Sequence, residues 1–409
     1  MVAIKCLFIH IRDLRYKDNE TLNKCLQSYK ENEIKRIFFL NKEQIKSVYS
    51  SNASVNFFRS VLNDLKNVEI ISVNNLQGII KFLEKFSKKH KDLETIAFHY
   101  DYTDYAIKRE TLIKNFAETK NIKLINTHDQ LLLLDFHLKK DKTAYSKFTP
   151  YYNTFPISKI KKVHFEIPKF INKDTINSYA KYRECPAKNA TTHLSHYLKF
   201  GVISPRQAYS LFKDNELLSR QLIWRDFYYT YYYYNGLNEN LNKINWENNS
   251  KFITAWKEGK TGFPIVDAGM RQLKKENYMH NRIRMIVANF LVKILLIDWK
   301  IGEKHFSKNL IDIDRIQNMA GWQSVSSTAK HSLPYFRIFN PWIQSKKYDP
   351  KAEYIKKYIP ELKKVPSEKI HTWYSTENIS DFKNINYPKP IVNYNIRKNL
   401  YLKRINDLK

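Results

Sequence analysis

The first 126 residues alternate between short apolar runs and longer stretches with one apolar face. The apolar runs begin near Val2, Ile34, Val68, Thr95 and Ile122. The stretches between them, near residues 19–29, 53–65, 76–89 and 104–119, repeat their apolar positions with the period of a helix. Strands that alternate with helices imply βαβ units, and therefore a parallel, doubly wound sheet of the Rossmann-like α/β class.

The pattern changes after this segment. Periodicity weakens between residues 127 and 178, which contain Pro150, Pro156 and Pro168, and this predicts a connector between domains. From Tyr179 onward helical spacing dominates, so the second half is predicted to be all-helical. We therefore expect an α/β domain at 1–126, a connector at 127–178 and a helical domain at 179–409. No GxGxxG follows the first strand, so the standard dinucleotide fingerprint is absent from the sequence.

Composition adds a strong positive charge. The 409 residues include 70 Lys and Arg against 40 Asp and Glu, a formal net charge of +30. Such an excess favours a polyanionic partner, although a compositional preference for Lys would produce it as well. Cys6, Cys25 and Cys185 lie too far apart in sequence for a zinc motif or a disulfide framework. We predict no metal site and a reducing, cytoplasmic location.

No segment predicts insertion into a membrane. The N-terminus runs straight into a strand-like segment, without the apolar stretch and cleavage site of a signal peptide. The most apolar later stretch, from Met285 to Trp299, is interrupted by Asn289, Lys293 and Asp298 and is too short to cross a bilayer. We expect no membrane partner.

Taken singly, the notable residues of the second half have ordinary structural explanations. A tryptophan within a helix usually belongs to the core, because it buries a large apolar area. Arg284 and Asp312 would pass for a buried ion pair, and Asn318 for a cap or turn residue. The run from Tyr228 to Tyr234 predicts a helix packed on both sides and is assigned no function.

Seven segments of the second half, considered together, are more informative about function than any single residue. In chain order they are ATTHLSHYLKFGVISPRQ (190–207), RQLIWRDF (220–227), TGFPIVDAGMRQL (261–273), MHNRIRM (279–285), LLIDW (295–299), LIDIDRIQNMAGWQS (310–324) and PYFRIFNP (334–341). They resemble the photolyase/cryptochrome family in order and approximate spacing, and most closely its class I cyclobutane pyrimidine dimer photolyases. DYTDYAIKRE (101–110) and YSKFTPYYNTF (145–155) resemble the family's antenna domain and connector. The resemblance implies a deoxyribodipyrimidine photo-lyase: light-driven repair of UV-damaged DNA, in which excited reduced FAD passes an electron to a flipped dimer.

The resemblance also implies non-covalent FAD in the helical domain. Hydroxyls would hold its phosphates and ribityl chain, Arg284 would pair with Asp312 near the ring, and Asn318 would face a ring nitrogen. A cation near the ring stabilises the anionic reduced cofactor. The residues implied to bind FAD are Tyr179, Thr191, Thr192, His193, Leu194, Ser195, Arg284, Asp312, Ile313, Asp314 and Asn318.

Three tryptophans resemble the family's electron-transfer chain. Trp322, Trp299 and Trp246 match the positions of that chain, and all three carry tryptophan here. Indole is among the most easily oxidised side chains, and tunnelling falls off exponentially with distance, so short hops outrun one long jump. The motif context favours this role over a purely structural one.

The residues implied to contact the substrate depart from the family pattern at two positions. Photolyases are base-flipping enzymes, which need stacking surfaces and polar groups for base edges. Met285 is typical of cyclobutane-dimer enzymes, whereas Gln221 is typical of (6-4) enzymes and Ser324 replaces a usual aromatic. The implied catalytic residues are Gln221, Asn281, Arg282, Met285 and Asn318. The implied DNA contacts are Arg183, Gln221, Trp224, Arg225, Asn281, Arg282, Arg337 and Gln344, where arginines on phosphates would supply affinity without reading sequence.

Three further points stay open at the level of sequence. A second, antenna chromophore of folate or deazaflavin type is implied, with Glu110 a candidate contact, but the altered opening motif FIHIRDLR (8–15) leaves its identity undetermined. The alternatives are a (6-4) photolyase, a light-sensing cryptochrome, and a basic flavoprotein oxidoreductase acting on small molecules. The last would need a nicotinamide site, for which no fingerprint is visible. We expect a monomer without an obligate protein partner.

Overall fold

The computed structural model describes residues 3–236, 244–375, 380–382 and 384–407. The chain forms two compact units, and each is described by itself. The first comprises Met1–Ile171, His193–Leu237 and Asp312–Ile316, and the second comprises Asn172–Thr192, Asn238–Ile311 and Gln317–Lys409. The division expected from the sequence at residues 126 and 178 stays a prediction.

All five predicted strands form one parallel sheet in the first unit. They are β1 (Cys6–His10), β2 (Ile34–Asn41), β3 (Glu69–Val73), β4 (Thr95–His99) and β5 (Lys123–Thr127). The order across the sheet is β3-β2-β1-β4-β5, with every neighbouring pair parallel. The predicted doubly wound class is confirmed, and the carboxyl ends of β1 and β4 mark its switch point. The predicted first strand started at Val2, which lies outside the described residues.

The helices between the strands lie where the periodicity predicts them. They are α1 (Glu20–Ser28), α3 (Asn52–Asp64), α4 (Leu76–Lys89) and α5 (Asp104–Thr119). Each begins after a polar side chain that accepts a hydrogen bond from an amide of the first turn: Asn19, Ser51, Asn75 and Thr103. The sequence did not predict α2 (Lys42–Lys46), because five residues are too few to show a helical period.

β1 is buried on both faces of the sheet. Leu7 and Ile9 point into a cluster that includes side chains of α4 and α5. Cys6 and Phe8 point the other way and pack with Leu22 of α1. A strand covered on both sides carries an almost continuous apolar run, as β1 does.

Four later helices complete the first unit: α6 (Phe148–Asn153), α8 (Ser195–Phe200), α9 (Pro205–Phe212) and α10 (Glu216–Asn235). The unit also contains two 3₁₀ turns, Glu31–Glu33 before β2 and Ile157–Lys159 after α6. α8 ends at Gly201, whose φ is +66°. A Cβ at this position would lie 1.9 Å from the carbonyl oxygen of Arg12. Glycine therefore allows α8 to approach the chain just after β1.

The described residues of the second unit form helices joined by loops and contain no strand, as predicted. The unit contains α7 (Lys173–Tyr182), α11 (Ser250–Glu258), α12 (Pro264–Glu276), α13 (Asn281–Asn289), α14 (Trp299–Asn309), α16 (Pro341–Tyr348), α17 (Glu353–Tyr358), α18 (Ser367–His371), α19 (Tyr394–Asn406) and most of α15 (Arg315–Ser326). A 3₁₀ turn covers Pro360–Leu362. No helix in the described part of the chain is long and apolar enough to cross a membrane.

The longest apolar stretch of the chain folds in an unusual way. α13 passes directly into a π-helical turn, Phe290–Ile294, in which every residue is buried. Such turns carry one more residue than an α-turn and are frequent at functional sites. A new helix, α14, then begins at Trp299 behind Asp298, whose side chain accepts from the amide of Lys300.

Candidate active site

In the first unit, the structure joins two of the residues predicted to hold FAD. The Ser195 hydroxyl, at the start of α8, donates to Asp312 Oδ2 at 2.7 Å. Just before it, His193 adopts a left-handed backbone with φ of 51°. A non-glycine residue in this region is uncommon and marks a strained turn, which is typical of ligand-binding segments. Leu194 and Ile313, which adjoin Ser195 and Asp312 in the sequence, are buried.

Asp314 is held more firmly than the sequence indicated. Its Oδ2 accepts from the Arg12 guanidinium and, at 2.5 Å, from the Tyr229 hydroxyl, while Oδ1 accepts from the Ile316 amide at 3.1 Å. Burial opposes ionisation of this carboxyl, but Arg12 and Tyr229 outweigh it and hold its pKa well below the usual range. Asp314 is therefore a buried anion that fixes the turn before α15.

Gln221, Trp224 and Arg225 occupy one side of α10, because residues three and four apart share a helix face. Gln221 is exposed and its amide nitrogen donates to Leu217 O at 3.3 Å. Trp224 stacks on Phe148 of α6, with ring centroids 3.7 Å apart. Arg225 donates to the carbonyl and side chain of Gln130, at 2.6 and 3.1 Å. These contacts hold the guanidinium of Arg225, which is largely buried.

In the second unit, Tyr278 links two other predicted FAD residues. Its hydroxyl lies 3.1 Å from Thr191 Oγ1, and its ring faces the Arg284 guanidinium at 5.4 Å. Arg284 also donates from Nε to Met279 O at 2.8 Å. Thr192 and Tyr179 are half-buried. Tyr278 was not predicted, since a tyrosine before a helix carries no distinctive sequence signal.

Asn318 is oriented by α14. Its amide nitrogen, which has two hydrogens to donate, lies 3.1 Å from each of three acceptors: the Glu303 backbone oxygen, Glu303 Oε1 and Ser307 Oγ. These contacts fix which end of the amide is the nitrogen, so the oxygen is the atom turned away from α14. The sequence identified Asn318 but not Glu303 or Ser307, whose approach depends on the packing of α14 against α15.

The three predicted electron-transfer tryptophans differ in exposure. Trp322 and Trp299 are 2% and 5% exposed, whereas Trp246 is partly exposed. Trp322 packs edge-on against Phe306, with ring centroids 5.0 Å apart, and against Trp256 at 6.2 Å. Gly302, one turn after Trp299, lies under the Trp322 ring, where a Cβ would be 2.1 Å from Cη2. Glycine thus lets α14 approach Trp322 closely.

Three of the remaining predicted substrate residues, Asn281, Arg282 and Met285, lie in the first turns of α13. Arg282 donates from Nε to Glu184 Oε2 at 2.6 Å and faces the Tyr348 ring at 4.5 Å. Met285 lies within 4 Å of polar atoms of both Asn281 and Arg282. Arg183 faces the Tyr179 ring at 5.5 Å, Arg337 is exposed, and Gln344 on α16 is half-buried.

Comparison with known proteins decides the family. Residues 6–164 match the family model described as DNA photolyase, and residues 217–407 match the FAD binding domain of DNA photolyase. A deoxyribodipyrimidine photo-lyase of Buchnera aphidicola from Acyrthosiphon pisum is 34% identical, over 93% of this chain and 92% of that protein. One from Alkalihalophilus pseudofirmus is 31% identical, over 94% of each. The chain belongs to the DNA photolyase family.

Solved structures of photolyases agree in fold. The archaeal photolyase from Sulfolobus tokodaii, described with two FAD molecules, is 32% identical and superposes with a TM-score of 0.85 over 98% of this photolyase and 100% of that chain. A Synechocystis cryptochrome at 23% identity has a TM-score of 0.84 over 98% and 100% of the two chains, which shows a shared fold alone.

The antenna candidate Glu110 lies in the first unit of this photolyase. Burial raises the pKa of its carboxyl to about 7, although the Arg109 charge opposes the shift. Its Oε1 accepts from the Asp101 amide at 2.9 Å and from Arg109 at 3.3 Å. These contacts occupy one carboxyl oxygen and do not identify a chromophore.

Proposed function

We propose that this photolyase uses light to split cyclobutane pyrimidine dimers in DNA. The observation that carries the proposal is the cluster of Asn281, Arg282 and Met285 at the start of α13, in a chain whose relatives of 31–36% identity are named deoxyribodipyrimidine photo-lyases. Bound reduced FAD supplies the excited electron donor. The side chains of the protein bind, orient and stack the substrate.

The residues present fit FAD. The oriented amide oxygen of Asn318 is an acceptor for a ring N–H, and Arg284 supplies a cation whose Nε is anchored to Met279. Ser195 and Asp312 form a hydroxyl–carboxylate pair suited to the ribityl hydroxyls. Tyr179, Thr191, Thr192, His193, Leu194, Ile313 and Asp314 complete the proposed set. Asp314 acts within it by holding its turn, because its carboxylate already accepts from Arg12 and Tyr229.

The proposed dimer contacts divide into stacking and polar groups. One face of Trp224 is covered by Phe148, which fixes the ring and leaves the opposite face for a base. Gln221 gives up only a weak hydrogen bond to its own helix when it turns to the dimer. Its amide can donate to a thymine carbonyl and accept from the imide N–H. The proposed contacts to the DNA backbone are Arg183, Arg225, Arg282, Arg337 and Gln344.

The proposed electron path runs from Trp246 through Trp299 to Trp322. The partly exposed Trp246 exchanges electrons with solvent reductants, and the buried pair carries them inward. We further propose that the enzyme acts as a monomer, in the cytoplasm, without an obligate protein partner.

A two-lesion assay tests the function. Purified holoenzyme is illuminated with oligonucleotides that carry either a cyclobutane dimer or a (6-4) product, and repair is followed by chromatography. We expect repair of the cyclobutane dimer, and a higher quantum yield for Gln221→Glu if a carboxyl proton helps hold the dimer radical anion. Repair of the (6-4) product alone would make Gln221 the better guide than Met285 and would overturn the assignment.

A further inference from the structure

A lysine lies at the centre of the most apolar segment of the chain. Lys293 belongs to the π-helical turn after α13, and its side chain is 0% exposed. Its ammonium donates to Ser327 Oγ at 3.2 Å, to Tyr335 O at 3.1 Å and to Arg337 O at 3.3 Å. All three of these acceptors lie in one segment of the chain, residues 327–337.

Burying this ammonium opposes stability. Desolvation, aided by the nearby charge of Arg337, lowers the pKa of Lys293 to about 7. The face of the Tyr401 ring, 5.6 Å from Nζ, compensates only in part. An apolar side chain of similar volume commonly serves a core as well as or better than a buried charge. Stability alone is thus a poor explanation for a lysine here.

A second polar residue reaches the same segment from one turn earlier. Asn289, the last residue of α13, donates from Nδ2 to Arg337 O at 3.3 Å. Its Oδ1 accepts from the amide of Phe339 at 2.9 Å. Lys293 and Asn289 together therefore fix the main chain on both sides of residue 337. The side chain of Arg337 is exposed, whereas its carbonyl oxygen accepts hydrogen bonds from Lys293 and Asn289.

We propose that Lys293 and Asn289 are positioning residues that present the Arg337 guanidinium to a DNA phosphate. The inference rests on the proposed function, in which Arg337 contacts the DNA backbone. We call Lys293 and Asn289 together the clamp. Because the clamp already orders the main chain at residue 337, little entropy is lost when the phosphate binds, so the clamp increases the affinity for DNA. It does not act on the splitting of a dimer that is already bound.

A double-mutant cycle tests the proposal. Dissociation constants are measured in the dark for a labelled duplex carrying one cyclobutane dimer, with wild-type holoenzyme, Lys293→Met, Arg337→Ala and the double variant. Arg337→Ala should weaken binding on the order of tenfold, as expected for one charge-assisted contact. Lys293→Met should weaken it by a similar or smaller factor, and the double variant should bind no worse than Arg337→Ala. Both single variants should lower the slope of log affinity against log salt concentration by about the amount expected for one phosphate contact.

Controls separate positioning from loss of fold. In Lys293→Met, FAD content and repair yield at saturating DNA should match the wild type, and the thermal midpoint should be no lower. Lys300→Met, at an exposed position on α14, should bind DNA with wild-type affinity. If Lys293→Met yields no folded holoenzyme, Asn289→Ala takes its place in the cycle with the same expected result.

Three outcomes overturn the clamp. They are unchanged affinity in Lys293→Met, additive losses in the double variant, and wild-type affinity in Arg337→Ala. The last also removes the proposed contact of Arg337 with phosphate. The proposed repair function fails separately, if wild-type enzyme does not split the dimer under light.

Discussion

Two parts of the molecule hold their side chains by different means, a network of buried ion pairs in the first unit and the aromatic surroundings of Trp322 in the second. In the first unit, charges lie beside the carboxyl edge of the sheet: Arg206 bridges Asp18 and Asp129, and Arg12 pairs with Asp314. In the second unit, Trp322 is held by the rings of Phe306 and Trp256. Directional ion pairs fix positions but cost desolvation, whereas aromatic packing holds a ring by shape. Removing a charge from the ion network should therefore lower stability, whereas replacing the Trp322 indole by another ring should leave the fold and remove the proposed electron path.

The largest effect is expected from Trp322→Phe. Phenylalanine keeps an aromatic ring in the packing, but benzene is far harder to oxidise than indole, so the proposed electron path is cut. We expect photoreduction of bound oxidised FAD to be abolished, while FAD content and repair by chemically reduced enzyme persist. Transient absorption of the tryptophan radical provides the measurement.

The neighbouring Trp256 supplies a matched control. It is equally buried, and its indole N–H donates to Val287 O at 3.1 Å. Trp256→Phe should retain photoreduction, because this residue lies outside the proposed path. Wild-type photoreduction in Trp322→Phe would show that another path operates.

Arg206→Met should have the next largest effect, on stability. Arg206 is 0% exposed and donates to the carboxylates of Asp18 and Asp129, at 3.0 and 2.6 Å, and to the carbonyls of Asp129 and Leu131. Removing one member of a buried ion network leaves unpaired charge and costs about 3–5 kcal/mol. The free energy of unfolding is measured by chemical denaturation, with the release of bound FAD as the signal. Arg59→Met, at an exposed position, is the control. A loss below about 1 kcal/mol would contradict the contrast between the regions.

Asp226→Asn should change stability by an amount that depends on pH and that is smallest near pH 4. Asp226 is buried, accepts from the Leu132 amide at 2.7 Å, and lies 3.7 Å from the nearest nitrogen of Arg225. Burial raises the pKa of its carboxyl from 3.8 to about 7. Between about pH 4 and 7, Asp226 therefore stays protonated in the folded state but is ionised in the unfolded state. The free energy of unfolding of the wild type consequently falls as pH rises through this range.

Asparagine cannot ionise, so the variant should gain stability relative to the wild type across this range. The difference should level off above pH 7. Thermal midpoints of both proteins at several pH values measure it, and a constant difference would show that burial does not control this carboxyl.

The sequence predicted the sheet well because each strand is a short apolar run between amphipathic helices. The π-helical turn at Phe290–Ile294 was not predicted, since a continuous apolar run looks the same in any buried helix. Motifs identified Asn318 and Asp314. Their partners Glu303 and Arg12 were missed, because these contacts join residues 15 and 302 positions apart in the chain and depend on tertiary packing.

The close approach of Gly302 to Trp322 should make substitutions at these two positions depend on each other during evolution. Any side chain at 302 would overlap the indole, since even a Cβ would lie 2.1 Å from Cη2 and 2.7 Å from Leu291 Cδ2. Close-packed interiors do not absorb such an overlap without moving a neighbour. A lineage that keeps a tryptophan at 322 must therefore keep glycine at 302. One that exchanges this tryptophan for a smaller residue is released from the constraint, and substitutions at the two positions should then appear together among descendants.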